Sequence, residues 1–154
     1  DPRLTEQGVA QAQSVSEHLA SEPMEILLFS PMVRTMQTAE IIARPHKDRG
    51  LAPVMNRIIS AVDRGDWSGL SPQQVEEHFP GDLARWQADK DFKEHGGETF
   101  NELMARTQGS LDHVLELAKA KLRRSGGPVA ACLVAHSSTV ASIVSLVEPG
   151  PAEP

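Results

Sequence analysis

Cysteine and aromatic residues are scarce in this sequence of 154 residues, and tyrosine is absent. The single cysteine, Cys132, rules out a disulfide framework within the chain. Its place inside an apolar segment favours a buried structural thiol and a reducing compartment. Aromatic residues make up only 4% of the chain, so aliphatic and methionine side chains must fill the core. Because we find no signal peptide and no apolar run of ~18 residues, we expect a cytoplasmic protein without a membrane partner.

Positive charge is also limited, with 15 Lys and Arg residues against 21 Asp and Glu residues and a formal net charge of −6. This balance argues against nucleic acid or an anionic membrane as the main partner. A small phosphorylated ligand stays compatible with it, since local cations can outweigh the global field. We find no paired Cys, His or Asp ligands and no GxxxxGK[ST] loop, so we expect no metal, no cofactor and no nucleotide triphosphatase.

Helical periodicity alternates with short apolar runs along the chain, which predicts an α/β layered domain with a mostly parallel sheet. The length favours one domain, residues 1–154. Strands are expected at Ile26–Phe29 and Pro128–Ala135, with a further one over residues 51–59. Helices are expected after the N-cap Thr5, over Met32–Ala43, and from near Glu98 to the stop at residues 125–127.

Residues 60–97 differ from the rest because they are rich in glycine, proline and charge and hold both tryptophans. Ser71 and Pro72 make a clear helix start inside this segment. We interpret the segment as a cap of short helices and loops over the sheet edge. Trp67 and Trp86 are expected to be packing anchors rather than ligand stackers.

Two side chains point to phosphate chemistry. His136 ends the apolar run PVAACLVA and is followed by the small-residue turn Ser137-Ser138, while Arg34 falls in the first turn of the helix after Ile26–Phe29. Both are expected at the carboxyl edge of the sheet, where open α/β sheets bind ligands and a helix N-terminus favours an anion. The remaining histidines show no ligand spacing and are expected at the surface: His18, His46, His78, His95 and His113. For His95, the alternative that it lines the mouth of the pocket stays open.

Five blocks of the sequence resemble the histidine phosphatase, or phosphoglycerate mutase-like, family, in the family's order and spacing. The blocks are LTEQGVAQA (Leu4–Ala12), FSPMVRTMQTAEIIA (Phe29–Ala43), RGDWSGL (Arg64–Leu70), GGETF (Gly96–Phe100) and LVAHSS (Leu133–Ser138). The resemblance implies a three-layer fold with a mostly parallel sheet flanked by helices. It also implies phosphomonoester hydrolysis, or phosphoryl transfer, through a phosphohistidine.

Residue roles follow from the resemblance block by block. Arg34 corresponds to a phosphate-binding arginine, and His136 to the second, non-nucleophilic catalytic histidine. Ser137 stands where a backbone N–H contacts the phosphate. The implied partner is a small phosphorylated substrate or inorganic phosphate, and homo-oligomer formation stays open.

The sequence departs from the family pattern at several points. No Arg-His-Gly nucleophile motif occurs in it, and Ala61 stands where the family has its acid carboxylate, with Asp63 near but out of register. Ser137-Ser138 replaces the usual Gly-Gly. We therefore expect the family's first and last strands to lie outside this chain, with the nucleophile strand belonging in the middle of the sheet, between Ile26–Phe29 and Ala130–Ala135.

These departures leave two interpretations open. The chain is either part of an active phosphatase or mutase, or an inactive family member that serves as an interaction or phosphate-binding module. In either case we expect the 154 residues alone to be inactive.

Overall fold

The computed structural model describes residues 1–148, which form six α-helices and three β-strands. In chain order the elements are α1 (Glu6–Leu19), β1 (Met24–Phe29), α2 (Val33–Ala43), β2 (Val54–Met55), α3 (Pro72–His78), α4 (Asp82–Ala88), α5 (Phe100–Ser125), β3 (Ala130–Val134) and α6 (Ser137–Val147). The strands form one parallel sheet in the order β2-β1-β3.

The strand β1 pairs directly with β3, and this corrects the expectation that another strand lies between them. Their register runs from Met24 opposite Ala130 to Phe29 opposite Val134. Backbone hydrogen bonds extend the pairing at both ends, from the N–H of Ala130 to the carbonyl of Pro23 and from that of Ser30 to Val134. The ladder has one register shift, between Met24 and Ile26, and it leaves no room for a strand between β1 and β3. Within residues 1–148, the edge of β3 that faces away from β1 pairs with no other strand.

Side chains of β1 alternate between two core clusters, which makes the domain three-layered. Leu27 packs with Ala39, Ile42 and Ala43 of α2 on one face. Ile26 and Leu28 pack on the other face with the helical layer that contains α5. Each fully buried aliphatic side chain contributes roughly 1.5–3 kcal/mol. The predicted α/β fold with a parallel sheet between helical layers is confirmed.

Polar caps fix where the helices begin. The hydroxyl of Thr5 accepts the N–H of Gly8 at the start of α1, and Ser71 forms a capping box with Gln74 at the start of α3. The longest helix was expected to begin near Glu98, but it begins at Phe100. Thr99 is its N-cap and forms a capping box with Glu102, which satisfies two backbone N–H groups at this position.

The strand expected over residues 51–59 is mostly absent. Only Val54–Met55 pairs with β1, after Pro53, which cannot donate to a ladder. The side chain of Asn56 then accepts the N–H of Ile58 at 2.8 Å and starts a short 3₁₀ turn, Arg57–Ile59. The turn packs against α5 and leads into Ser60.

The segment 60–97 packs around an aromatic cluster of Trp67, Phe92 and His95. The indole of Trp67 stacks on His95 with ring centroids 4.4 Å apart, and Trp86 meets it edge-on at 6.4 Å. His95 is 2% exposed, so the surface expectation for it was wrong; nor does it line the neighbouring cavity. In a chain with few aromatic residues, the imidazole fills core space beside the indole.

His46 is likewise fully buried, although a surface position was expected. It lies in the 3₁₀ turn Arg44–Arg49 that directly continues α2. The buried residues Ala39, Ile42 and Ala43 precede it at helical spacing. Position 46 continues that stripe, so the turn carries the imidazole toward the core.

Candidate functional site

A cavity of about 960 Å³ lies at the carboxyl ends of β1 and β3. Its polar lining includes Asp1, Arg34, Asp63, Arg64 and His136, together with Ser137 and Ser138. Parallel strands deliver the residues that follow them to one sheet edge, which explains why the segments after β1 and β3 meet here.

Arg34 and His136 meet inside this cavity, 102 positions apart in the sequence. The guanidinium Nη2 of Arg34 lies 3.1 Å from Nδ1 of His136. On its other side, Nε2 of His136 lies 2.8 Å from the hydroxyl of Ser30. A guanidinium can only donate hydrogen bonds, so Nδ1 must accept and the ring proton must reside on Nε2, which donates to Ser30. The imidazole is therefore neutral and fixed at both nitrogens.

Burial, followed by the nearby charge of Arg34, lowers the pKa of His136 below its ordinary value. Both causes disfavour the imidazolium form. An anion placed between the two groups would reverse the second cause, because it would attract the guanidinium and an imidazolium alike. The pair thus carries the positive charge of Arg34, and a bound anion would favour a second positive charge on His136.

The N-terminus of α2 already holds an anionic group, the carboxylate of Asp1. The backbone N–H of Val33 donates to Oδ2 of Asp1 at 2.9 Å, and Nη1 of Arg34 lies 3.5 Å from Oδ1. Free N–H groups and the positive end of the helix dipole favour negative charge at this position. The arrangement shows that the first turn of α2 and Arg34 can bind an anion together.

Ser137 is the first residue of α6, and it lines the cavity beside Ser138. The first N–H groups of a helix have no partner within the helix. No side chain at the preceding N-cap position, His136, satisfies them. The geometry therefore places donor groups of α6 on the cavity wall, while phosphate binding by Ser137 stays a prediction.

The loop from Ser60 to Arg64 forms a further wall of the cavity, which contains Ala61 and Asp63. Ala61 lines the cavity, so a methyl group stands there where the resemblance implied a carboxylate. The carboxylate of Asp63 accepts the backbone N–H of Gly65 at 2.9 Å and thereby stabilises its own loop.

Arg106 and Glu98 do not line this cavity, but Arg106 anchors the backbone where this wall begins. Nε and Nη2 of Arg106 donate to the two carboxylate oxygens of Glu98 at 2.7 and 2.8 Å. Nη1 donates to the carbonyl groups of Ile58 and Ser60, and the hydroxyl of Thr139 also donates to Ser60. The carbonyl of Ser60 thus joins α5, α6 and the cavity wall.

The sequence patterns did not indicate that Ser30, Asp1 and Arg64 line or position the site. Ser30 carried the same signal as His136, since it directly follows a buried strand. Its buried hydroxyl is placed by the turn into α2, where Thr35 donates to the carbonyl of Ser30 at 2.6 Å.

A second cavity, of about 580 Å³, lies along β1 and β2 beside α5. Its apolar lining includes Ile26, Leu28 and Leu117, and its three cations are exposed: Arg49, Lys121 and Arg124. It lacks the contact between a guanidinium and an imidazole that marks the first cavity. Among the described residues, no cluster of His, Cys, Asp and Glu could hold a metal ion. No helix within residues 1–148 is long and apolar enough to cross a bilayer.

The parallel sheet between helical layers, with its cavity at the strand ends, has the architecture of a phosphoglycerate mutase-like α/β protein. The chain matches the histidine phosphatase superfamily (branch 1) over residues 1–153, and it belongs to that family. The family resemblance seen in the sequence is confirmed.

Several relatives are named for phosphoryl chemistry. Phosphoserine phosphatase 1 of Hydrogenobacter thermophilus is 33% identical over 115 residues, covering 74% of this chain and 53% of the relative. Glucosyl-3-phosphoglycerate phosphatase of Mycobacterium tuberculosis is 28% identical over 148 residues, 93% of this chain and 63% of the relative. The solved structure of mycobacterial glucosyl-3-phosphoglycerate phosphatase with inorganic phosphate is similar with a TM-score of 0.77 and 27% identity, covering 97% of this chain and 70% of that one. The chain thus spans roughly half to two thirds of these relatives.

Proposed function

We propose that this chain carries the phosphate-binding part of a histidine phosphatase site that acts on small phosphomonoesters. The contact between Arg34 and His136 at the carboxyl edge of the sheet carries the proposal, because it places a fixed cation and a titratable imidazole on one cavity. Family membership supports the same reaction class. Segment 60–97 is proposed as the cap over this site.

The proposed reaction is phosphoryl transfer through a phosphohistidine. A histidine nucleophile attacks phosphorus, the ester P–O bond breaks, and the leaving oxygen takes a proton. Water or a second acceptor then takes the phosphoryl group from the histidine. The resemblance assigns the nucleophile to an Arg-His-Gly motif, which does not occur in these 154 residues.

Residues of this chain would stabilise the phosphoryl group during transfer. Arg34 binds one equatorial oxygen, the backbone N–H at Ser137 binds another, and His136 donates to the phosphoryl group after protonation. Fixed donors of this kind stabilise charge on the transferring group in a site that is already organised. The hydrogen bond that Nε2 donates to Ser30 keeps the His136 ring oriented while Nδ1, once protonated, exchanges its contact with Arg34 for the phosphoryl oxygen.

A binding measurement tests this proposal. Isothermal titration of the 154-residue chain with inorganic phosphate should give one site, and Arg34→Gln should weaken it by about tenfold or more, since a charge-assisted hydrogen bond contributes roughly 1.5–3 kcal/mol. Arg123→Gln, at the exposed end of α5, is the matched control and should leave the affinity unchanged. Equal affinities for wild type and Arg34→Gln would overturn the proposal.

A specific observation favours a second candidate, a phosphate-binding module without catalysis: Ala61 lines the cavity where a carboxylate is expected to protonate the leaving group. The two candidates differ in the gene upstream of the codon for Asp1. An Arg-His-Gly motif after an apolar strand there supports the enzyme, and its absence supports the binding module.

A further inference from the structure

Arg64 lines the same cavity as Arg34 and His136, but no part of the described site uses it. Its side chain is exposed, and within residues 1–148 no carboxylate forms an ion pair with it. Arg34, in contrast, contacts both Asp1 and His136. Arg64 therefore offers the cavity a positive charge that is not yet neutralised by a direct partner.

The backbone on both sides of Arg64 is firmly held. The N–H of Asp66 donates to the carbonyl of His95 at 2.8 Å, and the N–H of Glu98 donates to that of Asp63 at 2.8 Å. Gly65, with φ of 50°, passes so close to the second segment that a Cβ there would lie 2.1 Å from the His95 oxygen. The guanidinium thus extends from a fixed platform, which lowers the entropy cost of using it to bind a ligand.

The nearest acidic side chain along the chain is also occupied. Asp63 directs its carboxylate to the N–H of Gly65, so it stabilises the loop rather than pairing with Arg64. The cavity, at about 960 Å³, is far larger than one phosphate group. A ligand whose phosphoryl group lies at Arg34 and His136 has room to extend along the wall that Arg64 lines.

We propose that Arg64 is a specificity-determining residue that binds a second anionic group, a carboxylate, of the phosphomonoester. The inference rests on the proposed function, because it requires the phosphoryl group to bind at Arg34 and His136. A planar guanidinium matches a carboxylate through two parallel hydrogen bonds. The substrates it favours are small phosphorylated carboxylic acids.

Two ligands that differ only in the carboxylate test this inference: O-phosphoserine and O-phosphoethanolamine. The dissociation constants of both, and of inorganic phosphate, are measured by isothermal titration with the 154-residue chain. The wild type should prefer O-phosphoserine by about fivefold to tenfold, as expected of a charge pair in a partly solvated site. Arg64→Gln should abolish this preference and leave the affinity for inorganic phosphate unchanged. Arg64→Lys should restore part of it, since the charge returns without the planar fork.

Arg57→Gln is the matched control, because Arg57 is an exposed arginine of the neighbouring segment outside the cavity lining, and it should retain the preference. A wild-type protein that binds phosphate but shows no preference overturns the role of Arg64 and leaves the proposed function standing. A preference that persists in Arg64→Gln does the same. Loss of all phosphate binding in the wild type overturns both.

Discussion

Three glycine-to-alanine variants can measure how tightly the cavity wall is fixed to the segment behind it. The backbone at Gly65 packs directly against the backbone at Gly97, and we call this contact the backbone crossing. A Cβ at Gly97 would lie 2.4 Å from the carbonyl oxygen of Asp63, and one at Gly65 would meet the backbone of residues 95–97 at 2.1–2.7 Å. Gly65 also has φ of 50°, whereas Gly97 does not have a positive φ. Gly81, with φ of 81° and no atom within 4 Å of its Cβ position, isolates the conformational cost.

The three variants should lower the free energy of unfolding by different amounts, because a left-handed φ and a steric clash contribute differently to each. Gly81→Ala should lower the free energy of unfolding by about 1 kcal/mol, the cost of a left-handed residue with a Cβ. Gly97→Ala forces the two segments apart and weakens the hydrogen bonds from Asp66 to His95 and from Glu98 to Asp63, at about 1 kcal/mol each. Its loss should be about 2 kcal/mol. Gly65→Ala combines both causes and should lose about 3 kcal/mol or more.

Urea unfolding and differential scanning calorimetry provide the measurement. For a domain of this size, about 3 kcal/mol corresponds to a fall of roughly 6–12 °C in Tm. The order of the losses should be Gly81→Ala, then Gly97→Ala, then Gly65→Ala. If Gly65→Ala costs no more than Gly81→Ala, the backbone crossing does not constrain the loop and the rigid platform of Arg64 is refuted.

Four further outcomes are expected. Arg106→Met should lower the free energy of unfolding, measured in urea, by about 3 kcal/mol, since it leaves the largely buried carboxylate of Glu98 unpaired. Lys119→Met removes an exposed ion pair and should lower it by less than about 0.5 kcal/mol, and similar losses for the two variants would contradict this reasoning. The affinity for sulfate, measured by titration, should rise about threefold to tenfold as the pH falls from about 7.5 to about 5.5, because a bound anion favours the imidazolium of His136. If the same rise occurs in His136→Gln, another group causes the pH dependence. The pKa of His136 lies below its ordinary value in the folded state, so the contribution of His136 to stability is present above the unfolded-state pKa and is lost as the pH falls. Urea unfolding of wild type and His136→Gln at several pH values checks this, since the variant should lack this loss. Asp1→Asn should strengthen phosphate binding about threefold or more, because it removes a competing carboxylate from the site arginine; unchanged or weaker binding would show that Asp1 does not compete.

The sequence alone determined the features that depend on local rules. Apolar runs predicted β1 and β3, and side-chain caps at Thr5 and Ser71 predicted helix starts that the structure has. Since residues after parallel strands collect at one sheet edge, the sequence alone predicts a common site for Arg34 and His136. The motif blocks indicated the family, which the comparison confirmed.

Only the tertiary structure decided which distant segments touch. The direct ladder between β1 and β3 contradicts the expected intervening strand, because an apolar run indicates a buried strand but not its neighbour. Burial of His95 depends on the elements packed over it, and His46 is buried because a 3₁₀ turn continues α2 beyond Ala43, which the sequence pattern did not indicate. The hydrogen bond between His136 and Ser30 and the close backbone approach of Gly65 and Gly97 likewise join segments that are far apart in the chain. Such contacts are set by the packing of whole layers, whereas sequence patterns report the preferences of one element at a time.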